Sequence, residues 1–173
     1  MTTVDVEKFV LGETAKTVNV SSFGDLKLHS CHMAASCQRK LRIFSHRLNP
    51  EIYNQPCFIE AVRQLAIRYA NTRIQLLVAD TVELARGGHR LVQLTQAMPS
   101  SLEIRKRADE FRAEQRSFLL ADDCGYILRD LWSDPANVQL DYNAPYKVRN
   151  LGDDFLHMWD RSEPDPALRR LAI

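Results

Sequence analysis

The chain has 173 residues, 45% of them hydrophobic and 26% charged, a balance that excludes a largely disordered polymer and fits one folded domain. Its 23 Lys and Arg against 22 Asp and Glu leave a net charge of +1, so no global field holds a polyanion such as nucleic acid or an acidic membrane. An N-terminal arm over residues 1–21 followed by a single α/β domain over 22–173 is the expected organisation.

Residues 1–20 carry no strong period and are expected to form an extended or loosely attached arm. They lack an apolar core flanked by positive charge, and no later run approaches the roughly 20 apolar residues a membrane helix needs. A cytoplasmic location with no membrane partner is therefore expected. FGDLKLHSCHMAASCQRK predicts a helix capped by Asp25, with Leu28, Cys31 and Ala35 at helical spacing. His29, Cys31, His32 and Cys37 crowd there as zinc ligands would. Cys31 and Cys37 do not share the helix face of the two histidines, so no metal site is expected. The four cysteines, Cys31, Cys37, Cys57 and Cys124, form no CxxC pair and read as reduced core or boundary residues.

LRIFS, residues 41–45, reads as a short strand. His46 and Arg47 follow its end, either lining a ligand site or sitting in a solvated loop. NQPCFIEAVRQLAIRYA is the clearest helix: Asn54 can cap it, Pro56 suits its first turn, and Phe58, Ile59, Val62, Leu65, Ala66 and Tyr69 form one apolar stripe. RIQLLVAD, residues 73–80, predicts a strand covered on both faces, because Leu76, Leu77, Val78 and Ala79 run unbroken after Ile74. Asp80 ends it, where ligands of open α/β sheets gather, or else caps the next segment. GGHRLVQLTQAMP predicts a short helix with Leu91, Leu94 and Met98 on one side, ending before Pro99. His89 and Arg90 stand at its start, where free N–H groups favour a phosphate or carboxylate. The alternative is that Gly87 and Gly88 make the turn and His89 packs.

SLEIRKR alternates as a strand with Leu102 and Ile104 inward. Arg105, Lys106 and Arg107, with Arg112 and Arg116 downstream, are interleaved with Glu103, Asp109, Glu110 and Glu114 and with no aromatic platform. A solvated face is expected there, not a nucleic-acid surface. RSFLLAD and YILRDLW predict a hairpin turned at Asp123, Cys124 and Gly125. YKVRNLGDDFLHMWDRS places Val148, Leu151, Phe155 and Met158 on a helical stripe, with Pro164 and Pro166 stopping the helix. Phe155 and Trp159 are expected to close the core. The tail residues Leu168, Leu171 and Ile173 either pack back on their own domain or dock on a second subunit or partner. This order predicts an α/β fold, a mixed sheet flanked by helices on both faces.

The run CQRKLRIFSHRLNPEIYNQPCFIEAVRQLAIRYANTRIQLLVAD, then GGHRLVQLTQAMPSSLEIRK, SFLLADDCGYILRD and FLHMWDRS resembles one half of a phospholipase D-like domain. The likeness covers about residues 22–173 and is strongest to a bacterial subgroup without assigned function, often found C-terminal to a GNAT acetyltransferase domain. Active phospholipase D-like enzymes carry HxK, four residues and an Asp. The His forms a phosphohistidine and the Lys holds phosphate oxygens. Setting the motif Asp on Asp122 puts Gln115 at the His and Ser117 at the Lys; setting it on Asp123 gives Arg116 and Phe118. Neither register supplies an imidazole, and a glutamine amide forms no such intermediate. The family's site is assembled from two halves, and a homodimer of this chain would bring together two empty motifs.

The resemblance thus implies a non-catalytic binding or regulatory module with no cofactor. Its partner would be an acetyltransferase, another protein or a second copy, and its ligand a small anion. Two other readings stand beside it. One is a diverged enzyme on a phosphate-bearing substrate, working through His46, Asp80 or His89. The other is a nucleic-acid-binding accessory protein, which predicts steep salt dependence.

Overall fold

Strands Val18–Val20 (β1), Lys40–Ser45 (β2), Arg73–Val78 (β3), Leu102–Lys106 (β4), Ser117–Ala121 (β5), Gly125–Arg129 (β6) and Val138–Asp141 (β7) pair into one sheet. Their order is β1-β7-β6-β5-β2-β3-β4. This computed structural model describes residues 4–169. β2, β3 and β4 run parallel, while β5, β6, β7 and β1 form an antiparallel half. The halves join where β2 pairs antiparallel with β5, Phe44 opposite Phe118.

The described helices are Phe23–Ser36 (α1), Pro50–Tyr53 (α2), Pro56–Arg68 (α3), Val82–Ala85 (α4), Arg90–Ala97 (α5), Pro145–Trp159 (α6) and Pro166–Arg169 (α7). Period-2 alternation divides the strand side chains between two cores. Leu41, Ile43, Ile74, Leu76, Val78 and Leu119 meet α1, α3 and α5 on one face. Phe44, Leu77, Phe118, Leu120 and Leu128 meet Val148, Leu151, Phe155 and Met158 of α6 on the other. The expected helix-flanked mixed sheet is the observed fold.

Several local expectations change. α1 ends at Ser36 and is capped by Ser22, whose hydroxyl accepts from Asp25 N–H, so Asp25 lies inside the first turn. α3 begins after Gln55 with no side-chain cap; Asn54 ends α2 instead. α6 stops at Trp159, before either proline, and Pro166 opens α7. The expected arm is docked: residues 18–20 are the edge strand β1, and Phe9 and Leu11 pack on the first core. Leu168 packs on its own domain, while Leu171 and Ile173 lie outside the described residues.

The histidines and cysteines of α1 have individual partners. His29, buried, hydrogen-bonds Tyr142 Oη at 3.0 Å, and His32 Nε2 donates to Phe9 O at 2.9 Å. Cys37 Sγ donates to Lys40 O and to Asp122. Burial pushes its thiol up to about 12. Such a thiol is inert, the ordinary behaviour of a core cysteine.

Candidate functional site

The C-terminal end of β2 is built to hold its last residues in place. Ser45 is buried and its Oγ accepts from Leu48 N–H at 2.9 Å, closing a turn in which Leu48 takes a left-handed φ of 52°. Asn49 then caps α2 through Glu51 N–H, with Pro50 in the first turn. His46 and Arg47 stand between these fixed points, His46 half-buried and Arg47 exposed.

The His46 ring is half-buried against Trp132, and the Arg47 guanidinium carbon lies 5.3 Å from the same indole. Burial holds the His46 imidazole below its ordinary range; Arg107 and Arg47 act in the same direction and Asp80 opposes them. A neutral ring results at pH 7. Arg129, at the end of β6, is buried, and its Nη1 donates to Trp132 O. It also opposes the upward push that burial gives the Tyr53 phenol. Ser45, His46, Arg47, Arg129, Trp132 and Ser133 line a cleft of about 430 Å³. Two arginines and an aromatic plate outnumber the single carboxylate of Glu51 in that lining, a balance that suits an anionic group.

Of the other candidates, Asp80 stays beside this edge. Its N–H donates to His46 O at 2.7 Å, and its carboxylate accepts from Val82 N–H. His89 does not join them. Its Nε2 donates to Leu48 O and its Nδ1 accepts from Leu91 N–H, so both ring nitrogens are consumed as an N-cap. Burial lowers its proton affinity, which keeps that tautomer neutral. Arg90 turns to Asn54, donating to the side-chain and backbone oxygens, and is likewise committed. His89 is therefore a buried N-cap, and Arg90, exposed, is tied to Asn54.

The positions aligned with the HxK motif lie on and before β5. Gln115 is exposed, and its carbonyl accepts from Trp132 N–H at 2.8 Å. Ser117 is buried, with Oγ donating to Phe44 O at 3.1 Å, and pairs across the sheet with Arg129. It thus borders the cleft through its neighbours while its hydroxyl is engaged elsewhere. Asp122, at the far end of β5, has φ 52° and accepts from the N–H groups of Gln38, Arg39 and Lys40, clasping the start of β2. Each position serves the architecture.

Sequence reasoning misses Trp132 and Arg129. In the sequence they read only as the end of a strand, and only the return of the chain beside β2 gives them a role. Two members of the basic run are paired: Arg105 binds Glu103 and lies over Trp159, and Arg116 binds Glu114 and Asp154. A larger groove of about 1140 Å³ passes along α1 and the start of α3, lined by Leu28, Cys31, Ile52 and Cys57. It shares no residue with the cationic cleft and offers mainly apolar surface.

The sequence pattern of a family described as a domain of unknown function (DUF7931) matches residues 24–171. Among curated proteins, none matches the chain in sequence. In fold it is similar to Nuc, a phospholipase D family member from Salmonella typhimurium, with a TM-score of 0.63 at 11% identity over 86% of this chain and 96% of that one. NucT from Helicobacter pylori gives a TM-score of 0.60 at 10% identity over 87% and 98%. TrmBL2, an archaeal chromatin protein whose structure shows a novel mode of DNA binding, gives 0.61 at 13% over 88% of this chain. The chain spans only 55% of that protein's length. At these identities the likeness establishes a shared architecture, the phospholipase D-like α/β fold.

Proposed function

The chain belongs to the DUF7931 family, a domain of unknown function on a phospholipase D-like fold, and from that premise we propose that it is a non-catalytic module that binds an anionic ligand. The observation that carries this reading is the state of the motif strand. Gln115 offers an amide, the Ser117 hydroxyl is engaged by Phe44 O, and the Asp122 carboxylate is engaged by the start of β2. No group there attacks phosphorus. The cleft beside it keeps the means to bind. Arg47 and Arg129 attract the anion, and Trp132 with His46 forms a flat wall for it.

Its cellular role in this reading is regulatory. The likeness to domains that follow a GNAT acetyltransferase supports a partner of that kind, in the same chain or a separate one. A second reading has one specific observation in its favour. His46, neutral and half-exposed at the cleft, could act as a relocated nucleophile on a phosphate ester.

The test uses the whole chain. Bis(p-nitrophenyl) phosphate is expected to show no turnover above buffer, while inorganic phosphate shifts the Trp132 indole N–H resonance saturably, an effect lost in Arg47→Gln. Turnover abolished by His46→Gln would install the enzyme reading instead. An unmoved indole resonance would remove the cleft from both.

A further inference from the structure

A second cationic site lies at the opposite end of β2, beneath α6. Alternation puts Lys40, Arg42 and Phe44 on the α6 face of the sheet. Arg42 is only 5% exposed, yet its side chain makes no hydrogen bond and no ion pair among the described residues, and its Nε is a buried donor without a partner. Its guanidinium carbon lies 5.9 Å from the Phe155 ring centroid. Burying a guanidinium in this way is costly, and a leucine or methionine would fill the same strand position without that cost.

The surroundings are shaped around the group. A Cβ added at Gly152 of α6 would lie 2.9 Å from both Nη1 and Nη2, so the glycine makes the room the guanidinium occupies. Lys40, Arg42, Asp123, Pro145, Arg149 and Gly152, with Asp153 and Leu156, line a pocket of about 420 Å³. Asp123 is engaged by Lys40 at 2.7 Å, and that pairing holds its carboxyl below the usual carboxylate range. Asp153 is exposed on α6, and Arg149 stands one turn before it. Three cations and two carboxylates therefore face the pocket, with one carboxylate already matched.

We propose that the pocket beneath α6 binds a small molecule through a phosphate or carboxylate group, gripped by the Arg42 guanidinium and assisted by Arg149. A planar guanidinium with its donor edge free matches the two oxygens of such a group, and a buried setting strengthens the contact. The pocket volume admits a ligand of metabolite size. The site is independent of the His46 cleft.

The experiment titrates the whole chain with sodium phosphate, and separately with sodium acetate, at constant ionic strength. It follows the Arg42 Nε–H resonance, assigned by its absence in Arg42→Lys. A saturable shift is expected that is larger than at any other arginine Nε–H and weaker by about two- to fivefold in affinity in Arg149→Gln, an exposed substitution that leaves the core intact. Response to phosphate alone, or to both salts, tells a phosphoryl from a general oxyanion site. The Trp132 indole resonance in the same spectra reports the other cleft separately. No saturable shift with either salt, or equal shifts at all arginines, overturns the proposal.

Discussion

The His46 imidazole lies flat on the Trp132 indole, 3.7 Å between ring centroids and 3° from parallel. Protonating a ring in that position places a cation on the indole and changes its emission. With Trp159→Phe as background, Trp132 fluorescence should titrate with a midpoint below the ordinary histidine value of 6.5, because burial and Arg107 disfavour the charged ring. His46→Gln should remove the step. A midpoint at or above 6.5 would contradict the burial.

His29, His46 and His89 are all held below their ordinary proton affinity, chiefly by burial. The unfolded chain then takes up protons before the folded one as pH falls through 6.5. Stability contributed by the neutral rings is complete above 6.5 and declines below it, down through the depressed folded values. Urea midpoints measured from pH 7.5 to 5 should fall with little change in slope. His89→Gln should show a lower midpoint at pH 7.5 and a shallower pH dependence.

Asp122 should matter for stability and not for ligand binding. Removing the carboxylate in Asp122→Ala orphans the N–H groups of Gln38, Arg39 and Lys40 and leaves a Cβ in left-handed backbone. The expected cost is about 2–4 kcal/mol. Asp122→Asn, which tolerates that backbone and keeps one acceptor, should lose less. Denaturant titrations of the two variants give the order.

Reinstating the motif should not reinstate the reaction. Gln115→His is exposed and should fold normally. Ser117→Lys puts an ammonium where a 2% exposed hydroxyl meets Phe44 O, and should cost about 3 kcal/mol or more. The double variant is expected to melt lower than the parent and to release no nitrophenol from bis(p-nitrophenyl) phosphate.

Gly125 opens β6 directly after the hairpin turn and is also the seat of the N-terminal segment. A Cβ there would stand 2.5 Å from Leu11 Cδ1 and 3.2 Å from Met33 Sδ. Gly125→Ala should displace Leu11 and cost about 1–3 kcal/mol. Limited proteolysis should then cut within residues 4–17 sooner than in the parent chain.

The sheet and its helices are legible wherever apolar periodicity runs long enough. Phe58, Val62 and Leu65 announce α3, and Leu76 through Ala79 announce a strand covered on both faces. The four residues of β7 and the four-residue helices α2 and α4 carry too little pattern to stand out. At the site, His46 and Arg47 are readable from their place after a strand. Trp132 and Arg129 are not, because their role depends on hairpin register and the return of the chain past β2. His89 shows the opposite failure: a histidine after two glycines invites an anion, but the Leu48 carbonyl and the Leu91 N–H claim both nitrogens. Arg42 sits in an apolar strand and looks like a polar interruption until Gly152 explains the space around it.

The antiparallel seam between β2 and β5 also sets the tempo of folding. Apart from the edge strand β1, which reaches β7 from the far end of the chain, the strands within each half are near neighbours in sequence, but the bond from Ser117 to Phe44 spans 73 residues. Closing a loop of that length costs about 4 kcal/mol in chain entropy before any contact across it is made. The halves should gain structure early and wait for one another, with the seam forming at the slowest step. Weakening its clasp should therefore slow refolding more than it hastens unfolding.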